Sequence, residues 1–102
     1  MAIKIVYSQI ANNDLYEIYK FIHRDSPFYA KKEVNDIRSV IKKLKLNTFR
    51  GRVFPDLDNE LTRELIFKNY RIIYDIVPDV EINIITIHHH ARSIGNNPAF
   101  KD

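Results

Sequence analysis

The sequence predicts an α+β fold with element order β-α-α-β-β-β, a helical hairpin packed on one face of a small antiparallel sheet. Three observations predict it. Apolar residues recur at helical spacing in two consecutive runs between Ala11 and Leu44. Three strand-like runs then follow one another between Leu61 and His88. The links within each set are a few residues long, which forces antiparallel neighbours. Two helices followed by a meander place the helices on one side of the sheet and leave its other side partly open.

Each element has its own signal. Ile3, Ile5 and Tyr7 alternate with Lys4 and Val6, a short first strand ending near Ser8. Ala11, Leu15, Ile18 and Ile22 lie on one face of a helix from about Ser8 to His23. Asp25–Ser26–Pro27 is the clearest punctuation: Ser26 caps the next helix, and Pro27 fills its first position, where no N–H is needed. Ala30, Val34, Ile37, Ile41 and Leu44 carry that helix to about Lys45, with Lys42, Lys43 and Lys45 suiting the negative end of its dipole. Periodicity stops from Asn47 to Asn59, which reads as a loop. The strand-like runs are Leu61–Phe67, Tyr70–Val77 and Ile82–His88. Lys68–Asn69 forms a two-residue hairpin in which Asn tolerates positive φ, and Pro78–Asp79 marks the next turn. Alternation puts Tyr70, Ile72, Tyr74 and Ile76 on one face of the middle strand, and Arg71, Ile73, Asp75 and Val77 on the other.

With 102 residues, 45% of them apolar, the chain has room for one domain, residues 1–102, of which 93–102 read as a C-terminal tail. The absence of cysteine excludes disulfides, thiolate metal sites and cysteine nucleophiles. Two glycines leave no Gly-rich phosphate loop, and nothing indicates a nucleotide cofactor or a serine–histidine nucleophile. No apolar run approaches the ~20 residues of a membrane span. The opening MAIKIVYSQI lacks the features of a secretory signal, so a cytoplasmic location is expected. In His88–His89–His90, strand alternation lets at most two imidazoles share an ion, and no metal site is expected.

The formal net charge of +3 is small, but its distribution is uneven. Between Asp36 and Asp56 no acid interrupts Arg38, Lys42, Lys43, Lys45, Arg50 and Arg52, six of the sixteen cations; ten remain against thirteen acids elsewhere. A second acid-free stretch, Ile82 to Lys101, holds the three histidines and Arg92. A basic rim on a more acidic body follows. Arg63 and Arg71 fall on adjacent strands across the tight hairpin. An arginine in an apolar strand is costly to bury unless paired, and Glu64 and Asp75 are the partners at hand. The alternative role is a planar donor offered to phosphate or to a partner's carboxylates.

Taken together, Ser26–Pro27, the GRVFPD loop Gly51–Asp56, the REL of Arg63–Leu65, the YRIIY of Tyr70–Tyr74 and the ITIHHHAR of Ile85–Arg92 resemble the RelE/ParE superfamily of toxins from bacterial type II toxin–antitoxin modules. The resemblance spans nearly the whole chain. It implies a growth-inhibiting toxin, of the plasmid-stabilisation or addiction kind, held silent by a small cognate antitoxin in a hetero-oligomer. One branch of the superfamily cuts mRNA on the ribosome; the other, ParE-like, inhibits DNA gyrase and is not known to act as an enzyme.

Carried over residue by residue, the resemblance favours the ParE-like branch. Arg71 matches a strand arginine that the nucleases use on phosphate, His90 falls near their late catalytic position, and Asp56 sits near a loop glutamate used as base in one nuclease branch. Their lysine pair, however, corresponds to about Thr62 and Glu64, and an acid there repels an incoming phosphate. No tyrosine follows residue 74. The resemblance thus implies a gyrase-binding surface drawn from Arg50, Arg52, Arg63, Arg71, His88, His90 and Arg92. Binding of the antitoxin is expected to mask apolar surface at Phe49, Phe54 and Phe67, and no cofactor is expected. The alternatives are an mRNA endonuclease using Arg71, His90 and Asp56, and an inactive relative or nucleic-acid-binding module using residues 38–52.

Overall fold

The computed structural model describes residues 2–89 and 97–100. In chain order it contains β1 (Lys4–Tyr7), α1 (Gln9–His23), α2 (Pro27–Lys42), a 3-10 turn (Lys43–Lys45), β2 (Arg52–Val53), β3 (Thr62–Phe67), β4 (Tyr70–Val77), β5 (Glu81–His89) and a 3-10 turn at Pro98–Phe100. The strands form one sheet in the order β1-β5-β4-β3-β2. This is the α+β arrangement expected, with α1 and α2 packed together and α1 lying against β5.

Local chemistry sets the helix starts. The Ser8 hydroxyl accepts from the Ala11 N–H at 2.9 Å and donates to the Ile85 carbonyl at 2.6 Å, so one side chain caps α1 and ties it to β5. Ser26 accepts from the Tyr29 N–H at 3.2 Å with Pro27 in the first turn of α2. The apolar stripes of both helices then meet one face of the sheet. Ala11, Leu15, Ile37, Ile41 and Leu44 pack with Ile72, Tyr74, Ile76, Ile82 and Ile84 in the principal core.

The sheet departs from expectation in three places. β1 runs parallel to β5, with Lys4 opposite Glu81 and Tyr7 opposite Ile84, so the sheet is mostly antiparallel. Such pairing joins strands far apart in sequence, and no local pattern announces it. The sheet has five strands: within the expected loop, Arg52 and Val53 pair with Glu64 and Arg63. Two residues are too few to show alternation. The hairpin between β3 and β4 places positive φ on Lys68, at 53°, instead of Asn69; Asp79 in the following turn also has positive φ.

The face away from the helices is less open than expected. Phe54 turns onto it and is 1% exposed, and Phe100 from the C-terminal 3-10 turn stacks on that ring with centroids 5.4 Å apart. Among the described residues no helix is long and apolar enough to cross a membrane.

Candidate functional site

Strand pairing builds the site. Cross-strand partners point to the same side of a sheet, so Ile66, Arg71 and His88 form one row across β3, β4 and β5. Arg52, Glu64, Ile73 and Thr86 form the next row, starting from β2. Both rows lie opposite the helices. Glu64 is directly across from Arg52 and diagonal to Arg71, midway between two cations.

The Glu64 side chain is fully buried, and both its oxygens are taken. Arg52 donates to Oε1 from Nε at 2.6 Å and also from Nη2. Arg71 donates to Oε2 from Nε at 2.8 Å and from Nη2 at 2.6 Å. Burying a carboxylate demands this degree of satisfaction. The two arginines differ in setting. The Arg52 side chain is 67% exposed, whereas that of Arg71 is 15% exposed, with its guanidinium 5.5 Å from the centre of the Phe54 ring. Asp75, the other candidate partner for Arg71, instead accepts from the Thr62 hydroxyl at 2.6 Å.

Beyond Arg71, the Asn97 amide donates to Thr86 Oγ1 at 3.0 Å and lies 2.8 Å from His88 Nδ1. Donation to Nδ1 assigns the imidazole proton to Nε2. Thr86 also donates to Asp14 Oδ2 at 2.5 Å, and the same oxygen accepts from the Ile87 N–H at 2.9 Å. That carboxylate caps the edge of β5 beyond the end of β1. Here β5 bulges: Ile73 pairs with Thr86 but Tyr74 pairs with Ile84, so Ile85 drops out of the ladder.

Arg63 stands apart. It pairs with Tyr74 and so leaves β3 on the opposite side from Arg71. Its Nε donates to the Glu60 carbonyl at 2.7 Å, its Nη1 to the Gly51 carbonyl at 3.1 Å, and its guanidinium lies 5.0 Å from the Phe49 ring centre. Gly51 is required by contact: a Cβ there would stand 2.7 Å from both the Glu64 carbonyl oxygen and the Tyr74 hydroxyl. That hydroxyl accepts from the Gly51 N–H at 2.9 Å and donates to the Thr48 carbonyl at 3.0 Å. Burial holds the Tyr74 phenol above its ordinary value, against the opposing pull of the Gly51 N–H and of Arg63.

Of the sequence candidates, the structure therefore brings Arg52, Arg71 and His88 onto one face and puts Arg63 on the other. Arg50 and Asp56 are exposed. His90 and Arg92 lie outside the described residues. Phe49 is exposed and Phe67 half-buried against the principal core. Phe54 corrects the expectation of maskable surface: it is the buried floor beneath Arg71. Sequence reasoning missed a second apolar surface on the helical hairpin, where Phe21 and Phe28 are 69% and 68% exposed, with Tyr16 and Tyr29 beside them. Tyr16 and Phe21 fall outside the 11-15-18-22 stripe, a signal the sequence did carry. Next to them, α1 and β5 enclose a groove of about 450 Å³ lined by Ile18, Phe21, Ile22, Tyr70, Ile87 and His89, with Asp14 and Glu17 at its side.

The model of the family described as ParE toxin of type II toxin-antitoxin system, parDE, matches residues 5–94. The chain belongs to this family. Among solved structures it is similar to one described as the chromosomal ParDE TA system from P. aeruginosa, with a TM-score of 0.70 and 23% identity over 86% of this chain and 96% of that one. That likeness speaks to the fold. The YoeB dimer from Staphylococcus aureus is also similar, with a TM-score of 0.52 and 25% identity over 88% of this chain and 99% of that one. No curated protein sequence matches significantly. Thr62 and Glu64, where the resemblance would place the nuclease branch's lysines, are both buried.

Proposed function

We propose that this ParE-type toxin inhibits growth by binding DNA gyrase and is neutralised by a cognate antitoxin. One observation carries the choice of branch: the arginine in the nuclease phosphate position, Arg71, has its Nε–Nη2 edge engaged by the buried Glu64 carboxylate. A phosphate arriving there meets a negative charge at hydrogen-bonding distance from its would-be donor. The exposed cations Arg50 and Arg52, with His90 and Arg92 beyond the described residues, then serve a protein target. Purified toxin is expected to inhibit gyrase supercoiling; unaffected supercoiling at saturating toxin removes this reading.

The antitoxin partner is supported by the family and by the relative described as a ParDE TA system. Its binding masks exposed apolar surface, with Phe49 and the Phe21–Phe28 side of the helical hairpin the best placed. A ligand that binds the folded state alone raises its stability by mass action. The melting temperature is thus expected to rise with saturating antitoxin, and an equal one counts against the assignment.

The likeness to YoeB, on the RelE side of the superfamily, favours a second reading as an mRNA endonuclease using Arg71, His90 and Asp56. Transcript mapping after induction separates the two, since codon-linked cuts abolished by Arg71→Ala require the second.

A further inference from the structure

We propose that Glu64 is an internal plug: it occupies the one position where the guanidinium groups of Arg52 and Arg71 converge and so bars nucleic-acid phosphodiesters from this face. The inference deepens the non-nuclease reading above and rests on it for its biological sense. Its physical basis stands in the side chains. An ionised carboxylate has about four lone-pair sites on two oxygens. Here four N–H groups use them, two from each arginine. Each guanidinium engages through its Nε–Nη2 edge, a fork that also fits two phosphate oxygens.

Geometry keeps the plug seated. Glu64 reaches both cations because β2 sets Arg52 directly across from it while Arg71 is its diagonal neighbour on β4. Arg71 has little freedom to turn outward, because the buried Phe54 ring lies against it and Phe100 backs that ring. Two arginines and one carboxylate present a net charge of +1, so half of the pair's attraction for a polyanion is cancelled at source. With the carboxylate neutralised at constant volume, the two guanidinium groups become a dication at the Arg52 end of this face, where the Arg52 side chain meets solvent. That is an arrangement suited to a phosphodiester backbone.

The test measures binding of a short labelled polyuridine RNA by fluorescence anisotropy across a salt series, with circular dichroism and thermal melts on every variant. Wild-type protein is expected to bind weakly, through its exposed lysines. Glu64→Gln is expected to bind roughly tenfold tighter at low salt. Its log–log salt slope should steepen by about 0.7, the release expected for one further phosphate on a single strand. Glu64→Asp keeps the charge and should behave as wild type. Adding Arg71→Ala to Glu64→Gln should remove the gain. A folded Glu64→Gln protein with unchanged affinity and slope overturns the proposal, as does a gain that survives loss of Arg71. Should Glu64→Gln not fold, Arg52→Gln in the wild-type background decides: a plugged pair keeps only part of its attraction for RNA, so a loss of about twofold or less upholds the proposal and a tenfold loss overturns it. Gyrase supercoiling measured on the same wild-type preparation keeps the two claims apart. Supercoiling left intact removes the gyrase reading while an RNA gain upholds the plug, and the converse result does the reverse.

Discussion

On the helix side of the sheet, Ile72, Tyr74, Ile82 and Ile84 meet Leu15, Ile37, Ile41 and Leu44 in a continuous apolar core; on the other side a buried carboxylate, Arg71, Thr86, His88 and Asn97 share the space with Ile73 and Phe54. The first face is held by burial, which is non-directional and scales with area. The second is held by directional hydrogen bonds, among them those that the two arginines give Glu64 and those joining Asn97, Thr86 and His88. Among the described residues every buried side-chain nitrogen and oxygen has a partner. The difference teaches where each face is fragile: the helix side to lost volume, the other side to a lost partner.

The largest expected effect tests the apolar face. Ile37 is fully buried between α2 and the sheet. Ile37→Ala is expected to cost about 3–4 kcal/mol, from lost transfer energy and the cavity left behind. A urea titration should show a lowered midpoint at unchanged slope. A cost below about 1 kcal/mol would mean that the helical hairpin is not the main source of stability.

The next effect sets the two arginines of the polar face against each other. Arg71→Ala leaves Glu64 buried with half its partners and is expected to cost about 2–3 kcal/mol. Arg52→Ala also takes half of Glu64's partners, but water reaches the space that its mostly exposed side chain leaves, so its cost should be smaller, about 1 kcal/mol. Equal costs, read from the same titrations, would show that burial of Arg71 does not distinguish the two ends of the triad.

These expectations also mark what the sequence could and could not reveal. The helix-side face was legible because each of its residues sits at a helical or alternating position, as in Ala30-Val34-Ile37-Ile41-Leu44 and Tyr70-Ile72-Tyr74-Ile76. Glu64 was legible as one of two partners for Arg71, and the choice between Glu64 and Asp75 needed the register of β3 against β4. The polar face was closed by residues that no local pattern connects: Arg52 through a two-residue strand, Asn97 through its bonds to Thr86 and His88, and Phe100 through its ring contact with Phe54. The β5 bulge did leave a mark that the reading of Ile82–His88 as a plain strand passed over: Ile84 and Ile85 are adjacent and Asn83 and Thr86 are three apart, a one-residue slip in the alternation.

Gly51 joins the two faces, lying between the Glu64 backbone and the Tyr74 hydroxyl. Gly51→Ala drives a methyl into both, and one of them is backbone that cannot rotate away. The expected cost is about 1–3 kcal/mol, within the range for overpacking. It should move the thermal midpoint of the whole domain, because the displaced atoms belong to both faces. A neutral result would show that the 47–51 loop yields independently of β3 and β4.

The smallest effect is a pH dependence that the helix-side face should carry. Tyr7, Tyr70 and Tyr74 are all held above the ordinary tyrosine value of 10.0, in each case chiefly by burial. The Glu33 carboxylate adds to the rise at Tyr70, and Arg38 opposes it at Tyr7. A raised pKa means that the folded state keeps a proton that the unfolded chain releases at about pH 10. The stabilisation is therefore complete below that value and is lost as pH climbs toward and through the folded-state values. Lys68, raised mainly by its hydrogen bond to Glu33, acts on the same alkaline side. Tyr74→Phe separates the contributions. It removes the hydrogen bonds to Gly51 and Thr48, which lowers stability by a constant amount at neutral pH, and it also removes one titrating group. Between pH 10 and 11 the stability of the variant should fall less steeply than that of wild type, by at most about 1.4 kcal/mol per pH unit for one group. Parallel alkaline limbs would show that the Tyr74 phenol ionises as freely inside the core as in the unfolded chain, and would break the contrast between a face sealed from water and one held by matched polar partners.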